Sequence, residues 1–160
     1  MSQGTCLVFG FVALASGRRV AVTRAQAQQD PTRPPPTTWY TFYTTSLQCA
    51  KGGSLPADLR VYSPPRTTTL PDNTIAFVLA KLHIPPTGTA LLDALTLQPL
   101  PGNPEDDTYE ESAPDLPYPY VFGLGTTQGA HQVLADGGSR GFVVRTSERV
   151  RDDQRTSDLL

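Results

Sequence analysis

Prolines and glycines interrupt this chain so often that only short extended segments fit between them. The 160 residues include 16 prolines and 13 glycines, and a proline removes a backbone donor and stops a helix near the residue before it. The apolar runs between these breaks are short and rich in strand-forming residues. The sequence therefore predicts an all-β protein.

The most regular stretch, residues 74–102, predicts two antiparallel strands. Apolar residues alternate along 74–84, which indicates a strand that is buried at its start and emerges at its end. A Pro-Pro-Thr-Gly break follows. Pro86 suits the second position of a type I turn, and Gly88 suits the left-handed position after it. The break is therefore predicted to be a hairpin loop.

The apolar segment 5–15 allows two interpretations. In the first, a turn at Ser16-Gly17 joins it to a Val-rich strand over 19–25, which gives a β-hairpin. In the second it is the apolar region of a signal peptide, since Ala13-Leu14-Ala15 has the small-x-small form of a cleavage site. We favour the hairpin because no positive charge precedes the segment.

Residues 37–45, TTWYTFYTT, predict the clearest isolated strand, because Thr, Trp, Tyr and Phe all favour strands. Side chains alternate along a strand, so Trp39 and Tyr43 share one face, whereas Tyr40 and Phe42 share the other. Rings on both faces imply that one set lies outside the core.

The resulting strand order resembles the OB-fold, a five-stranded Greek-key barrel with a connector after its third strand. More narrowly, DNTIAFVLAKL (72–82) and LTLQPLP (95–101) are similar to the fourth and fifth strands of replication protein A-like single-stranded DNA-binding domains. The resemblance covers residues 5–101 and implies binding of single-stranded nucleic acid. Ala80 departs from it, because that family often has glycine there, and its loops are usually more basic.

The expected organisation has three segments. Residues 1–100 form the OB-like β-barrel, and 101–118 form an acidic Pro-rich linker. Residues 119–160 form an additional C-terminal β-hairpin with a fraying charged tail. That hairpin is either the start of a second OB-like module or an addition to the first sheet. PGNPEDDTYE and YPYVFGLGTT also resemble uncharacterised proteins of mushroom-forming fungi, which implies no activity.

A barrel that binds single strands needs exposed rings to stack on bases and basic residues to follow phosphates. The net charge of −2 provides no global basic field, so basic residues would act locally. In the alternative interpretation, two rings fill the core and the arginines only solubilise. The candidate nucleic-acid-binding residues are Trp39, Tyr40, Phe42, Tyr43, Arg18, Arg19, Arg24, Lys51, Arg60, Arg66 and Lys81.

We therefore expect a non-catalytic binding module without a metal or cofactor. His83 and His131 are the only histidines, and no Gly-x-Ser-x-Gly elbow occurs. The alternatives are a protein-interaction β-module, with the acidic Pro-rich segment as the peptide ligand, and a small secreted β-protein. We expect an intracellular, nuclear location, or secretion if residues 1–15 are a signal peptide. No apolar run approaches a membrane span.

Overall fold

The computed structural model describes residues 4–23 and 36–160. The predicted all-β class is confirmed, because strands dominate these residues and their only helical element is the 3₁₀ turn Glu110–Ser112. The strands are β1 (Thr5–Thr23), β2 (Thr37–Gln48), β3 (Ser54–Tyr62), β4 (Thr74–His83), β5 (Ala90–Pro99), β6 (Tyr120–Leu124), β7 (Thr126–Val133), β8 (Arg140–Val150) and β9 (Asp153–Leu159).

The first five strands pair into a closed ring. Strand β1 is antiparallel to both β2 and β4, β2 is antiparallel to β3, and β4 is antiparallel to β5. The ring is completed by β3 and β5, which are parallel. The order around it is therefore β1-β2-β3-β5-β4, and β6 extends the sheet by pairing with the first half of β1.

The predicted N-terminal hairpin is wrong, because β1 is one continuous bent strand. Its first half pairs with β4, its second half pairs with β2, and the register shifts between Ala15 and Arg18. Ser16 takes a φ of 54°. Gly17 leaves room for the Tyr43 ring, since a Cβ there would lie 2.8 Å from a ring carbon. The bulge bends the strand instead of reversing it, and the bend turns the half that pairs with β2 relative to the half that pairs with β4, so that the sheet can close.

Inward-facing side chains of the ring strands form one core. Its fully buried leucines, Leu14, Leu59, Leu82 and Leu92, come from four different strands. Burying a side chain of this size contributes about 1.5–3 kcal/mol, so strands that are distant in sequence are held together by the same cluster. Because Leu14 belongs to it, the apolar N-terminal segment is an integral strand of the ring.

The predicted hairpin over residues 74–102 is confirmed as β4 and β5. The partner of β4 returns antiparallel. Alternate residues along the whole of β4 are buried, so the strand does not emerge at its end as the sequence predicted. Gly88 in the connecting loop has a φ of 98°, the left-handed conformation that the sequence pattern required. Regular alternation and a proline-glycine loop were sufficient to define this unit.

The C-terminal strands form a three-stranded sheet of order β7-β8-β9. Strands β7 and β8 are the predicted hairpin, whereas the tail, which was predicted to fray, forms the third strand. The tail returns along β8 through a two-residue turn, in which Arg151 and Asp152 have φ values of 57° and 69°. Such paired positive values are typical of type I′ hairpins. Arg145 and Asp158 lie opposite each other in register and form an ion pair of 2.8 Å. Charged residues thus pair across the strands instead of leaving the tail free.

This second sheet packs across the end of the ring at which β1 begins and β4 ends. Lys81 of β4 forms a 3.0 Å ion pair with Glu148 of β8, and Val150 is fully buried. Close approach depends on Gly125, because a Cβ there would overlap the backbone carbonyl of Arg145. A glycine between β6 and β7 therefore sets how tightly the chain passes over β8.

The acidic segment 101–118 is anchored to the ring by Tyr109. Its ring is buried, and its hydroxyl accepts a hydrogen bond of 3.2 Å from the Ile75 amide and donates one of 3.3 Å to the Leu100 carbonyl. The carboxylates around it are exposed.

Within residues 4–23 and 36–160, no helix has the length and apolar character needed to cross a membrane.

We expect Gly125→Ala to destabilise the fold by about 1–3 kcal/mol, the usual cost of overpacking, because the new methyl group meets the Arg145 backbone. Gly138→Ala is the matched control, since a Cβ at Gly138 meets nothing within 4 Å and the change should be worth no more than about 1 kcal/mol. Urea unfolding measures both. Equal unfolding free energies for the two variants would contradict the close approach of Gly125 to the Arg145 backbone.

Candidate nucleic-acid interface

The second half of β1, together with β2 and β3, presents rings and guanidinium groups on one outer surface. Thr41 and Tyr43 of β2 point into the core, so the alternate residues Tyr40 and Phe42 point outward. In register, Tyr40 lies between Val20 and Tyr62, and Phe42 lies between Arg18 and Arg60. We call this surface the outer face and define it by Arg18, Val20, Tyr40, Phe42, Arg60 and Tyr62.

Tyr62 is the most exposed ring of the outer face. Tyr62 is 59% exposed, and its ring meets that of Tyr40 edge to face, with centroids 6.4 Å apart. Because more than half of the Tyr62 side chain is exposed, its ring has surface open to a planar ligand. Tyr62 is therefore the position at which a base can stack.

Guanidinium groups lie over the remaining rings of the outer face. The Arg60 guanidinium is 4.6 Å from the centroid of Tyr40, and that of Arg18 is 5.8 Å from the centroid of Phe42. Arg151, from the β8–β9 turn, lies 4.9 Å from the same Phe42 ring. These distances fall within the range of cation–π attraction, so the rings and cations hold each other in place.

Arg60 is held by two carboxylates at the edge of the outer face. It forms a bidentate pair with Asp93, with bonds of 2.9 and 2.7 Å, and Nη1 donates to Asp152 at 2.7 Å. Burial alone would lower the pKa of Arg60, but the bonds to the two carboxylates outweigh it and raise the pKa. The cation is thus firmly charged, and its charge is already compensated.

Arg151 completes the network from the second sheet. Its amide donates to Asp93 Oδ2 at 2.7 Å, and its Nη2 donates to the Asp58 carbonyl at 2.7 Å. Nη1 lies 3.4 Å from Asp93 Oδ1 without hydrogen-bond geometry. Burial lowers the pKa of Arg151, and repulsion from Arg60 adds to that effect while Asp93 opposes it. Sequence reasoning missed Arg151, because only the docked turn brings it to Phe42.

Trp39 and Arg19 form a separate pair on the opposite face of β2, where that face becomes exposed. Trp39 is 40% exposed, and the Arg19 guanidinium lies 4.7 Å from its ring centroid. Arg19 also donates to Ser63 Oγ at 3.1 Å and to the Pro64 carbonyl at 3.0 Å. The two residues therefore cap this end of the sheet, next to the outer face but not on it.

Tyr43 does not belong to the surface that the sequence predicted for it. Its side chain is only 3% exposed, and its hydroxyl accepts a 2.9 Å hydrogen bond from the Leu70 amide. A ring enclosed in this way cannot stack on a base. Alternation alone left open which face of β2 was buried, and the bulge at Gly17 decides it because Tyr43 fills that space.

Lys81 is also away from the outer face, on β4 beneath the second sheet. Its partner Glu148 also accepts a 2.7 Å hydrogen bond from Thr5 Oγ1. Burial alone would raise the pKa of Glu148, but the hydrogen bonds from Thr5 and Lys81 outweigh it and hold the pKa below its ordinary value of 4.5. Lys81 and Glu148 therefore join the two sheets.

The other basic candidates are dispersed. Lys51 is exposed in the turn between β2 and β3, and Arg66 is exposed in the loop after β3. Neither lies on the outer face. Arg24 lies outside the described residues. The basic side that the sequence suggested is thus reduced to Arg18, Arg60 and the unforeseen Arg151.

A contact between a histidine of β4 and a serine of β9 connects the ring to the second sheet. His83 Nδ1 lies 3.1 Å from Ser157 Oγ, which also accepts a 3.0 Å bond from the Ile84 amide. Ser157 is buried, so a substrate cannot reach its hydroxyl, and burial lowers the pKa of His83. Across the described part of the chain, no three His, Cys, Asp or Glu side chains are grouped to hold a metal.

No protein-family model matches this chain, and no curated protein is significantly similar to it. The interpretation of the outer face therefore depends on its geometry.

The lowered pKa of Glu148 predicts acid sensitivity of the joint between the two sheets. A carboxyl whose pKa is lower when folded stabilises the fold above its unfolded pKa, and this contribution disappears as the pH falls through the folded value. The stability lost in Glu148→Gln should therefore be large above pH 4.5 and should shrink below it. Urea unfolding across that pH range measures the difference.

Glu111→Gln, which alters an exposed carboxylate of the acidic segment, serves as the control and should cost little stability at any pH. A cost of Glu148→Gln that is independent of pH would contradict the proposed role of this ion pair.

Proposed function

We propose that this chain is a non-catalytic OB-like module that binds single-stranded nucleic acid on the outer face of β1, β2 and β3. One observation supports the proposal most strongly. Three adjacent strands present the accessible ring of Tyr62 together with the guanidinium groups of Arg18 and Arg60, which lie over rings of the same face. Nonspecific binding of single strands needs this combination, because the rings stack on bases and the cations follow the backbone.

The strand connectivity supports the OB-like part of the proposal. Five strands close into a ring in which β1 pairs antiparallel with β2 and β4, and β3 pairs parallel with β5. OB-folds bind oligonucleotides on the face of their second and third strands. Here the half-buried Tyr40 lies on β2 and the exposed Tyr62 lies on β3. The connector between β3 and β4 contains no helix within the described residues. The second sheet, and not a helix of that connector, covers one end of the ring.

The charges limit how tightly such a site can bind. Arg60 and Arg151 are compensated by Asp93 and Asp152, so Arg18 provides the most available charge on the outer face. Few phosphate contacts imply modest affinity and a shallow dependence on salt. We therefore propose weak binding without sequence preference, in a nucleic-acid-containing compartment such as the nucleus.

We expect Tyr62→Ala to weaken binding to fluorescein-labelled oligo-dT by about fivefold or more, since stacking on an aromatic ring contributes about 1–3 kcal/mol per base. Fluorescence anisotropy at low and moderate salt measures this. Tyr120→Ala is the matched control, because Tyr120 is also an exposed tyrosine (49%) but lies on β6. Wild-type protein that does not bind at either salt, or equal losses in the two variants, would refute the assignment.

A second candidate, a protein-interaction module, is favoured by the exposed edge strand β6. Val121, Phe122 and Leu124 are 48–61% exposed, the strand carries no charge, and in the described part of the chain β6 pairs only with β1. Edge strands normally carry charges or bulges that prevent pairing. We propose a second copy of the chain as the partner, because two uncharged identical strands pair antiparallel without repulsion.

Sedimentation velocity over a range of protein concentrations tests this second candidate. We expect a monomer–dimer equilibrium that Phe122→Lys abolishes, because a charge on an edge strand opposes pairing. Phe142→Lys is the control, since Phe142 is similarly exposed (53%) but lies on the central strand of the second sheet. A monomer at every concentration would exclude pairing through β6.

A further inference from the structure

At the edge of the outer face, a carboxylate accepts a hydrogen bond from a guanidinium of that face. Asp152 Oδ2 accepts a 2.7 Å hydrogen bond from Arg60 Nη1, and the same guanidinium lies over the Tyr40 ring. Phosphate oxygens accept the same short, charge-assisted bonds from arginine that carboxylates do. A strand that crosses the outer face therefore meets Arg60 with three of its donors already taken, two by Asp93 and one by Asp152.

The two carboxylates on Arg60 are not equally fixed. Asp93 makes a bidentate pair with Arg60 and also accepts the Arg151 amide, and its side chain is 13% exposed. Asp152 sits in the β8–β9 turn, and its side chain is 36% exposed. A partly exposed carboxylate regains water when it leaves its partner, and this hydration offsets part of the cost of the exchange. Asp152 is therefore the member of the network that an incoming anion can replace.

We infer that Arg60, with Arg151 beside it, forms a phosphodiester subsite that the Asp152 carboxylate occupies until a strand displaces it. The inference rests on the proposed function and adds a residue that sets its affinity. Binding of the backbone exchanges one anion for another on Arg60. Asp93 keeps Arg60 in place over Tyr40 during the exchange. No covalent step is involved, and the gain from the new contact is reduced by the loss of the old one.

The test compares Asp152→Asn with Asp153→Asn in oligo-dT binding. Both changes remove one negative charge from the same turn, but Asp153 pairs with Arg155 at 3.3 Å instead of Arg60. Asparagine tolerates the positive φ of 69° at position 152, so the turn should remain folded. We expect Asp152→Asn to bind about two- to fivefold more tightly than Asp153→Asn, the range that a partly exposed ion pair is worth.

The possible results separate this inference from the proposed function. If wild-type protein binds and the two variants bind with equal affinities, only the inference is overturned, because any change in affinity then comes from the loss of one negative charge in the turn and not from Asp152 leaving Arg60. Absence of binding by all three proteins overturns both. Binding only by Asp152→Asn supports the inference in its strongest form. Inorganic phosphate at matched ionic strength should reduce the difference between the variants, because it competes for the same donors of Arg60. A difference that phosphate leaves unchanged would overturn the assignment of a phosphate subsite.

Hydrogen exchange gives an independent readout on the wild-type chain. A strand that displaces Asp152 should loosen the β8–β9 turn, so amide exchange at residues 151–153 should rise when oligo-dT binds, while exchange in β2 stays the same or falls. Slower exchange in the turn on binding would show that Asp152 remains on Arg60 and would overturn the displacement.

Discussion

The bend in β1 is the constraint on which the rest of the structure depends. The first half of β1 pairs with β4 and the second half pairs with β2, and the bulge between Ala15 and Arg18 turns one half relative to the other so that the ring can close. Gly17 makes room for the Tyr43 ring at that bend. Once Tyr43 is inside, alternation places Tyr40 and Phe42 outside. The same local feature thus closes the ring and decides which rings are available to a ligand.

The second sheet connects stability with the proposed site. Its β8–β9 turn brings Arg151 to Phe42 and Asp152 to Arg60, while Lys81 and Glu148 hold the two sheets together. Two arginines and two aspartates at one edge of the outer face leave little uncompensated charge there. The network therefore stabilises the joint between the sheets and, in our proposal, moderates the attraction of the outer face for a polyanion.

Sequence patterns predicted the elements whose signals are local. Alternation along 74–84 and the left-handed Gly88 defined the β4–β5 hairpin, and propensity defined β2. The bend at Ser16-Gly17 was mistaken for a reversal, because a turn and a bulge use the same residue types. The tail was expected to fray because it is charged, yet Arg145 and Asp158 pair across strands. Arg151 was missed because its place depends on long-range docking, which has no local signal.

Ultraviolet crosslinking of oligo-dT to the intact chain, followed by mass spectrometry of the crosslinked peptides, tests the central claim most directly. The account predicts crosslinks in the peptides that contain Tyr40 and Tyr62, because those rings lie together on the outer face. Crosslinks confined to β6 or to the second sheet, or none at low salt, would contradict a nucleic-acid interface on β1, β2 and β3.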